Sequence, residues 1–262
     1  MAEQELDTLI DQVADLILDA KRIVVFTGAG VSTESGIPDF RSPGGIWDRY
    51  DPADFTYQKF ISDPEGRRKR WQMFREGGLI AEEAKPNPAH HAVAELDRLG
   101  KLDCVITQNI DYLHQKAGVP DDKVFELHGN MRWVICLNCS QRYPLAQIKA
   151  RLDRGEEIPE CEACRGILKP DIVFFGESLP REVLQEATSR SNTCDLFIVI
   201  GSTLVVYPAA YMPEYAVGRG AKLVIINLSS TPLDGQATVV IRARAGEAMS
   251  GVVKRVKEKI SG

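Results

Sequence analysis

The chain has 262 residues, a formal net charge of −5, and 44% hydrophobic and 26% charged residues, the proportions of a folded globular protein. That acidic balance argues against nucleic-acid binding as its main business, because neutralising phosphate requires clustered Lys and Arg. No apolar run approaches the roughly 18 residues of a membrane span, and the acidic start lacks the basic region of a secretory signal.

The first 22 residues, MAEQELDTLIDQVADLILDAKR, place Leu6, Leu9, Ile10, Val13, Leu16 and Ile17 at helical spacing, which predicts a surface helix packed on the body of the protein. β-rich runs come next at 23–27, 104–107, 124–127, 172–175, 196–200, 223–227 and 238–241, with helical patterns at 88–99 and 181–189. Several of the runs are apolar throughout, as in strands covered on both faces. The alternation predicts an α/β fold with a mostly parallel sheet. The basic run 67–70 reads as a solvated helix face.

The chemistry gathers just beyond the strands. Run 23–27 leads into GAGVS, 104–107 into QNID, 124–127 into HGN, 196–200 into GST, and 223–226 into NLS. In open α/β sheets ligands bind outside the carboxyl ends of the strands, so five polar motifs at five such ends point to one crevice. Gly28 and Gly30 permit a tight turn and close approach to a pyrophosphate, with residues 31–35 able to open a helix facing the anion. Thr33 stands where the dinucleotide fingerprint has its third glycine, so a plain turn remains an alternative. The remainder, PDFRSPGG, places an acid, an aromatic and an arginine in a glycine-flanked loop that reads as a cover over a charged ligand.

Cys136 and Cys139 stand against Cys161 and Cys164 in a C-x2-C-x21-C-x2-C pattern. Four thiolates close a tetrahedral zinc shell and leave no open position, which predicts one structural metal. The polar segment 140–160 offers little for a core, so the metal is expected to hold this module together. Cys104 and Cys194 lie beside apolar runs and are expected in the core. Six cysteines used this way suit a reducing cytoplasm.

These motifs, GAGVSTESGIPDFRSPGGIW, TQNID, HGN, the two cysteine pairs, IVFFGE, GST and NLS, stand in the order seen in sirtuins. The chain resembles that family of NAD-dependent protein lysine deacylases over about residues 20–250. The resemblance implies a Rossmann-like NAD-binding domain from 1–35, 87–129 and 173–262. It implies a small domain from 36–86 and 130–172, helical insertion plus zinc module, with substrate entering between the two. NAD is then consumed, not reduced, as the acyl oxygen of a modified lysine attacks ribose C1′.

The resemblance makes His128 the general base that draws a proton through the ribose hydroxyls, a task suited to a pKa near 6.5. Asn109 acts beside it, with Gln108, Ile110 and Asp111 lining the ribose and nicotinamide end. Gly28, Ala29, Gly30 and Arg41 hold the diphosphate, Phe40 shields C1′, and Asp39 orders the loop, with Gly44 and Gly45 as hinges. Glu34, Gly201, Ser202 and Thr203 join the cofactor contacts, Asn227, Leu228 and Ser229 face the adenosine ribose, and Ala245 the adenine. Val173, Phe174, Gly176 and Glu177 match the substrate strand, where a peptide adds by strand pairing. Acidic acyl groups are disfavoured, because Gln72 stands where a tyrosine would precede Arg75. Acetyl-lysine proteins or peptides are the implied partners of a monomer without nucleic acid or membrane. Rival readings are an ADP-ribosyltransferase on the same site, a Rossmann-type dehydrogenase, and a non-catalytic NAD- and zinc-binding module.

Overall fold

The computed structural model describes residues 3–76 and 83–262; residues 77–82 of the expected helical insertion lie outside it. Helix α1 (Glu3–Asp19) buries Ile10, Val13, Ala14 and Ile17 on the face its spacing predicts. Strand β1 (Ile23–Thr27) is buried at every position. The first insertion carries α2 (Tyr57–Ser62) and α3 (Pro64–Arg75), the latter started by Asp63, whose carboxylate accepts from the Glu65 amide. Next come α4 (Pro88–Arg98), β2 (Leu102–Thr107), α5 (Leu113–Lys116) and β3 (Val124–Glu126). The second insertion holds β4 (Gly129–Cys136), β5 (Arg142–Pro144), α6 (Leu145–Asp153) and β6 (Leu168–Ile172). The chain ends with α7 (Arg181–Thr193), β7 (Leu196–Ile200), α8 (Tyr211–Gly218), β8 (Lys222–Ile226), β9 (Val239–Ile241) and α9 (Ala245–Ser261).

Six strands form one parallel sheet in the order β3-β2-β1-β7-β8-β9. From β1 the chain builds outward in one direction through β2 and β3, then returns to the other side of β1 for β7, β8 and β9. The reversal between β1 and β7 opens a crevice beyond their carboxyl ends. Helices cover both faces: residues of α1, α4 and α9 pack with one, residues of α7 and α8 with the other. β4, β5 and β6 form a separate antiparallel sheet in the order β5-β4-β6, packed with α2, α3 and α6 around Trp71, Phe60, Val134 and Ile148. Among the described residues no helix is long and apolar enough to cross a membrane.

Four expectations are corrected. The strand expected at 172–175 sits earlier, as edge strand β6, where Pro170 is tolerated because an edge strand has an unpaired side. Segment 140–160 does contribute to a core after all, since Tyr143, Ile148 and Leu152 are buried in the one shared by the small sheet and the first insertion. The basic run is only partly solvated: Arg70 is 5% exposed, with its guanidinium 3.6 Å from the Phe55 ring centre, because its stem must cross the α3 core face. After the glycine loop the chain makes two 3-10 turns rather than an α-helix.

Candidate active site

Where β1 and β7 end, backbone meets backbone. Gly28 donates its amide to Ile200 O (3.1 Å) and Gly30 to Gly201 O (2.9 Å). A Cβ on Gly28 or Gly30 would fall within 2.9 Å of Gly201 or Ser202, and one on Gly201, whose φ is +64°, would lie 2.2 Å from the Val31 nitrogen. The glycines thus supply closeness between two strand ends, and the amides of Gly28 and Gly30 serve that contact. On this seam Ser202 donates its hydroxyl to Gln108 Oε1 (2.8 Å), with Thr203 half-buried beside it.

One side is a buried polar cluster. Asn109 donates through Nδ2 to Gly28 O and Ser32 Oγ, both at 3.1 Å. Ser32 in turn donates to Asp111 Oδ2 (2.7 Å), and the Leu113 amide caps Asp111 Oδ1 (2.9 Å). Burial pushes the Asp111 carboxyl up, against the hydrogen bonds from Ser32 and Leu113. Ile110 turns the chain toward the second sheet, its carbonyl accepting from the Met131 amide (3.0 Å).

His128 comes just after β3, held by the bond from the Leu127 amide to Thr107 O (3.0 Å). Its Nδ1 lies 2.9 Å from the Gln108 carbonyl oxygen. A carbonyl only accepts, so Nδ1 carries the proton and Nε2 presents a lone pair. Burial lowers the pKa of His128, against the hydrogen bond to Gln108, which raises it.

The loop after β1 folds back on itself. Asp39 accepts from the amides of Arg41 (2.9 Å) and Ser42 (2.7 Å) and from the Ser42 hydroxyl (2.6 Å). Gly44 takes φ +81°, and a Cβ on Gly45 would press on Asp39 O at 2.7 Å. Phe40 stacks at a tilt on Trp47, ring centres 5.2 Å apart, while Arg41 is exposed. At the far end of the edge, Asn227 donates to Ser229 O (2.9 Å) and Oγ (3.1 Å), and Leu228 is exposed. Glu34 accepts from the Gly246 amide (2.8 Å) at the start of α9, beside buried Ala245, which ties the glycine loop to the last helix. Phe174 is buried in the small-sheet core and Gly176 has φ +81°; Glu177 turns inward, its Oε2 accepting from the Phe174 amide (2.9 Å).

Residues 28–208 match the model of the Sir2 family. The NAD-dependent protein deacetylase 1 of Pyrobaculum aerophilum is 47% identical over 248 residues, covering 95% of either chain. The chain belongs to the Sir2 family. Among solved structures, a histidine-to-alanine Sir2 variant with deacetylated p53 peptide and 3′-O-acetyl-ADP-ribose superposes with a TM-score of 0.85 at 42% identity, over 95% of this chain and 97% of that one. A Sir2–p53 peptide–NAD+ complex does so at 0.82 and 42%, over 94% and 96%.

The four cysteines of this Sir2 protein fit a zinc ion. Their sulfurs all lie within 4.8 Å of one another, with Cys136–Cys164 at 3.5 Å and Cys139–Cys161 at 3.6 Å. A tetrahedral shell with Zn–S near 2.3 Å has edges of roughly 3.8 Å. Tyr143 completes the surroundings: its hydroxyl accepts from the Glu162 amide (3.2 Å) and points its proton at Cys161 Sγ (3.2 Å). At the strand ends polar side chains gather, Ser202 bonded to Gln108 and Asn227 to Ser229. Hydroxyls, amides and the Arg41 guanidinium are the kinds of group that could hold a diphosphate carrying two riboses, once these bonds are exchanged.

Sequence reasoning missed the support behind Asn109. Its amide donates to Thr107 Oγ1 (3.0 Å), which accepts from Thr27 Oγ1 (2.8 Å), which lies 2.9 Å from His114 Nε2. His90, whose Nδ1 accepts the Asn87 amide at 3.3 Å, packs 4.9 Å from the His114 ring. The signals were present: threonines closing two adjacent parallel strands, and N-x-x-H at a helix start. Ser32, the last letter of GAGVS, was equally readable as the partner of QNID.

Proposed function

We propose that this Sir2 protein is an NAD-dependent protein lysine deacetylase whose general base is His128. The observation that carries this is the His128 tautomer: Nδ1–H is committed to Gln108 O, leaving Nε2 as a lone pair on a residue bonded to QNID and at the strand ends of the parallel sheet. NAD, when bound, supplies the nicotinamide–ribose bond whose cleavage opens C1′ to the acyl oxygen of acetyl-lysine. The chain's own residues do the rest. His128 Nε2 takes the proton of a ribose hydroxyl. Asn109, locked by Gly28 and Ser32, and Asp111, held by Ser32, line the nicotinamide end with Ile110. Gln108, Gly201, Ser202 and Thr203 line the ribose and phosphates with Gly28, Ala29 and Gly30, and Arg41 adds charge. Phe40, backed by Trp47, excludes water from C1′. Asp39 holds that loop in shape, Glu34 anchors the turn before it to the start of α9, and Asn227, Leu228, Ser229 and Ala245 form the adenosine side.

Val173, Phe174, Gly176 and Glu177 mark the substrate segment in this reading, and a peptide adding beside it by strand pairing would make the substrate a protein rather than a small molecule. The boundaries we propose are 1–35, 87–129 and 173–262 for the NAD-binding domain, and 36–86 and 130–172 for the small one. We further place the enzyme in the cytoplasm as a monomer that binds acetyl-lysine proteins and no nucleic acid. Its buried free thiols Cys104 and Cys194 and its acidic charge support that reading.

The test is mass spectrometry after incubation with NAD and an acetyl-lysine peptide. The expected products are deacetylated peptide, nicotinamide and O-acetyl-ADP-ribose from the wild type, with almost none from His128→Ala. ADP-ribosylated protein beside untouched peptide would replace the reading by a transferase, and intact NAD by a binding module.

A further inference from the structure

We propose that Lys169 and Glu177 are positioning residues for the substrate segment: an ion pair between a buried lysine and a partly exposed glutamate that fixes the shape of residues 172–177 without touching the peptide. The proposal rests on the deacetylase reading above. The segment leaves β6 at Ile172, and its backbone is tied to the residue just before β4 and to the first insertion. The Val173 amide donates to His128 O (2.9 Å), the Phe175 amide donates to Phe55 O (2.9 Å), and Phe175 O accepts from the Tyr57 amide (2.9 Å). The turn itself is closed by the Glu177 amide donating to Phe174 O (3.0 Å), and side chains brace it further.

Glu177 and Lys169 supply that brace. Gly176, with φ +81°, reverses the chain so that Glu177 faces back along it. Glu177 Oε2 then accepts from the Phe174 amide (2.9 Å) and from Lys169 Nζ (3.0 Å). Lys169 Nζ also donates to Ile172 O (2.5 Å) and Pro170 O (3.3 Å), and its side chain is 3% exposed. Beneath them the Phe174 ring lies 4.6 Å from Nζ and 5.4 Å from the Arg70 guanidinium. One ammonium therefore grips the first residue of the turn through its carbonyl and the last through its carboxylate. Glu177 spends its Oε2 on these partners, so its role is exerted through the backbone of Phe174 and Phe175.

Removing Glu177's charge strands the buried Lys169 ammonium, and removing Lys169 takes the brace from Ile172 O and Glu177 together, whereas removing both charges leaves no stranded ion. The damage reaches the Phe174 amide directly, Phe175 through its neighbour, and the glycine seam not at all. Peptide binding should then suffer while NAD binding stands.

The experiment is steady-state kinetics, with each substrate varied in turn, on the zinc-loaded wild type, Lys169→Met, Lys169→Arg, Glu177→Gln and the Met/Gln double variant. It is paired with amide hydrogen exchange. Each charge-removing single variant should raise the peptide KM about tenfold, with the NAD KM and kcat held within about threefold. Lys169→Arg should restore most of the loss, and the double variant should lie nearer wild type than either single. Exchange should quicken at Phe174, Phe175 and Tyr57 in Lys169→Met. An unchanged peptide KM, or NAD and peptide KM rising together as kcat falls, would overturn the proposal. Should the wild type fail to turn over peptide at all, the deacetylase reading falls by itself. The exchange arm then decides: unaltered protection at Phe174 and Phe175 in Lys169→Met overturns the ion pair's role.

Discussion

At the scale of single residues, direction of burial decides what a motif letter does. His128 and Glu177 are both letters of motifs, but one presents a free lone pair and the other turns inward to a lysine. Because burial lowers the pKa of His128, the neutral imidazole that can accept a proton persists to more acidic pH than in a free histidine. The acid limb of kcat/KM should therefore lie below pH 6.5, and a midpoint above 7 would count against His128 as the base. Tyr143 makes a second prediction. Its proton on Cys161 Sγ offsets thiolate charge, so Tyr143→Phe should speed zinc release to a colorimetric chelator about tenfold. A release rate equal to wild type would show that the hydroxyl is a bystander.

At the scale of elements, the parallel sheet was legible because its strands are buried on both faces and read as unbroken apolar runs. β1 and β7 stand at their expected limits for that reason. The antiparallel sheet was not legible. β4 alternates weakly, β5 has three residues, and β6 contains Pro170, so each falls below what periodicity can show. The same limit hid Arg70: a run of four basic residues looks solvated until the α3 face that carries the last of them is known. The glycine seam was read in part, since the sequence showed the turn but not that its partner is the backbone of Gly201. That contact makes a prediction. Gly201→Ala forces an L residue to φ +64° with its Cβ 2.2 Å from Val31 N. It should cost at least about 2 kcal/mol in stability, and calorimetry should show NAD affinity falling with it. A variant of wild-type stability would mean the seam can open freely.

At the scale of the whole molecule, two buried imidazoles set a pH limit. Burial holds His90 at about 4 and His114 well below the usual range. Both lie below the unfolded value, so between pH 6.5 and about 4 the unfolded chain binds more protons, and stability falls as the pH falls. His90 alone would withdraw about 2 kcal/mol between pH 6.5 and 5, a loss that His90→Gln should remove from the slope of stability against pH. An unaltered slope would place the acid sensitivity elsewhere. β4 carries a last consequence. It starts at Gly129, next to His128, and runs unbroken to the zinc ligand Cys136; its pairing with β6 lapses between Gly129 and Val134. If the outer part of the small sheet swings, the stretch just beyond Gly129, which itself stays paired with Ile172, is the natural axle. A point beside an axle barely travels, while the zinc knuckle, seven residues out or roughly 23 Å along the strand, sweeps a wide arc. The base would keep its aim while the zinc knuckle moved.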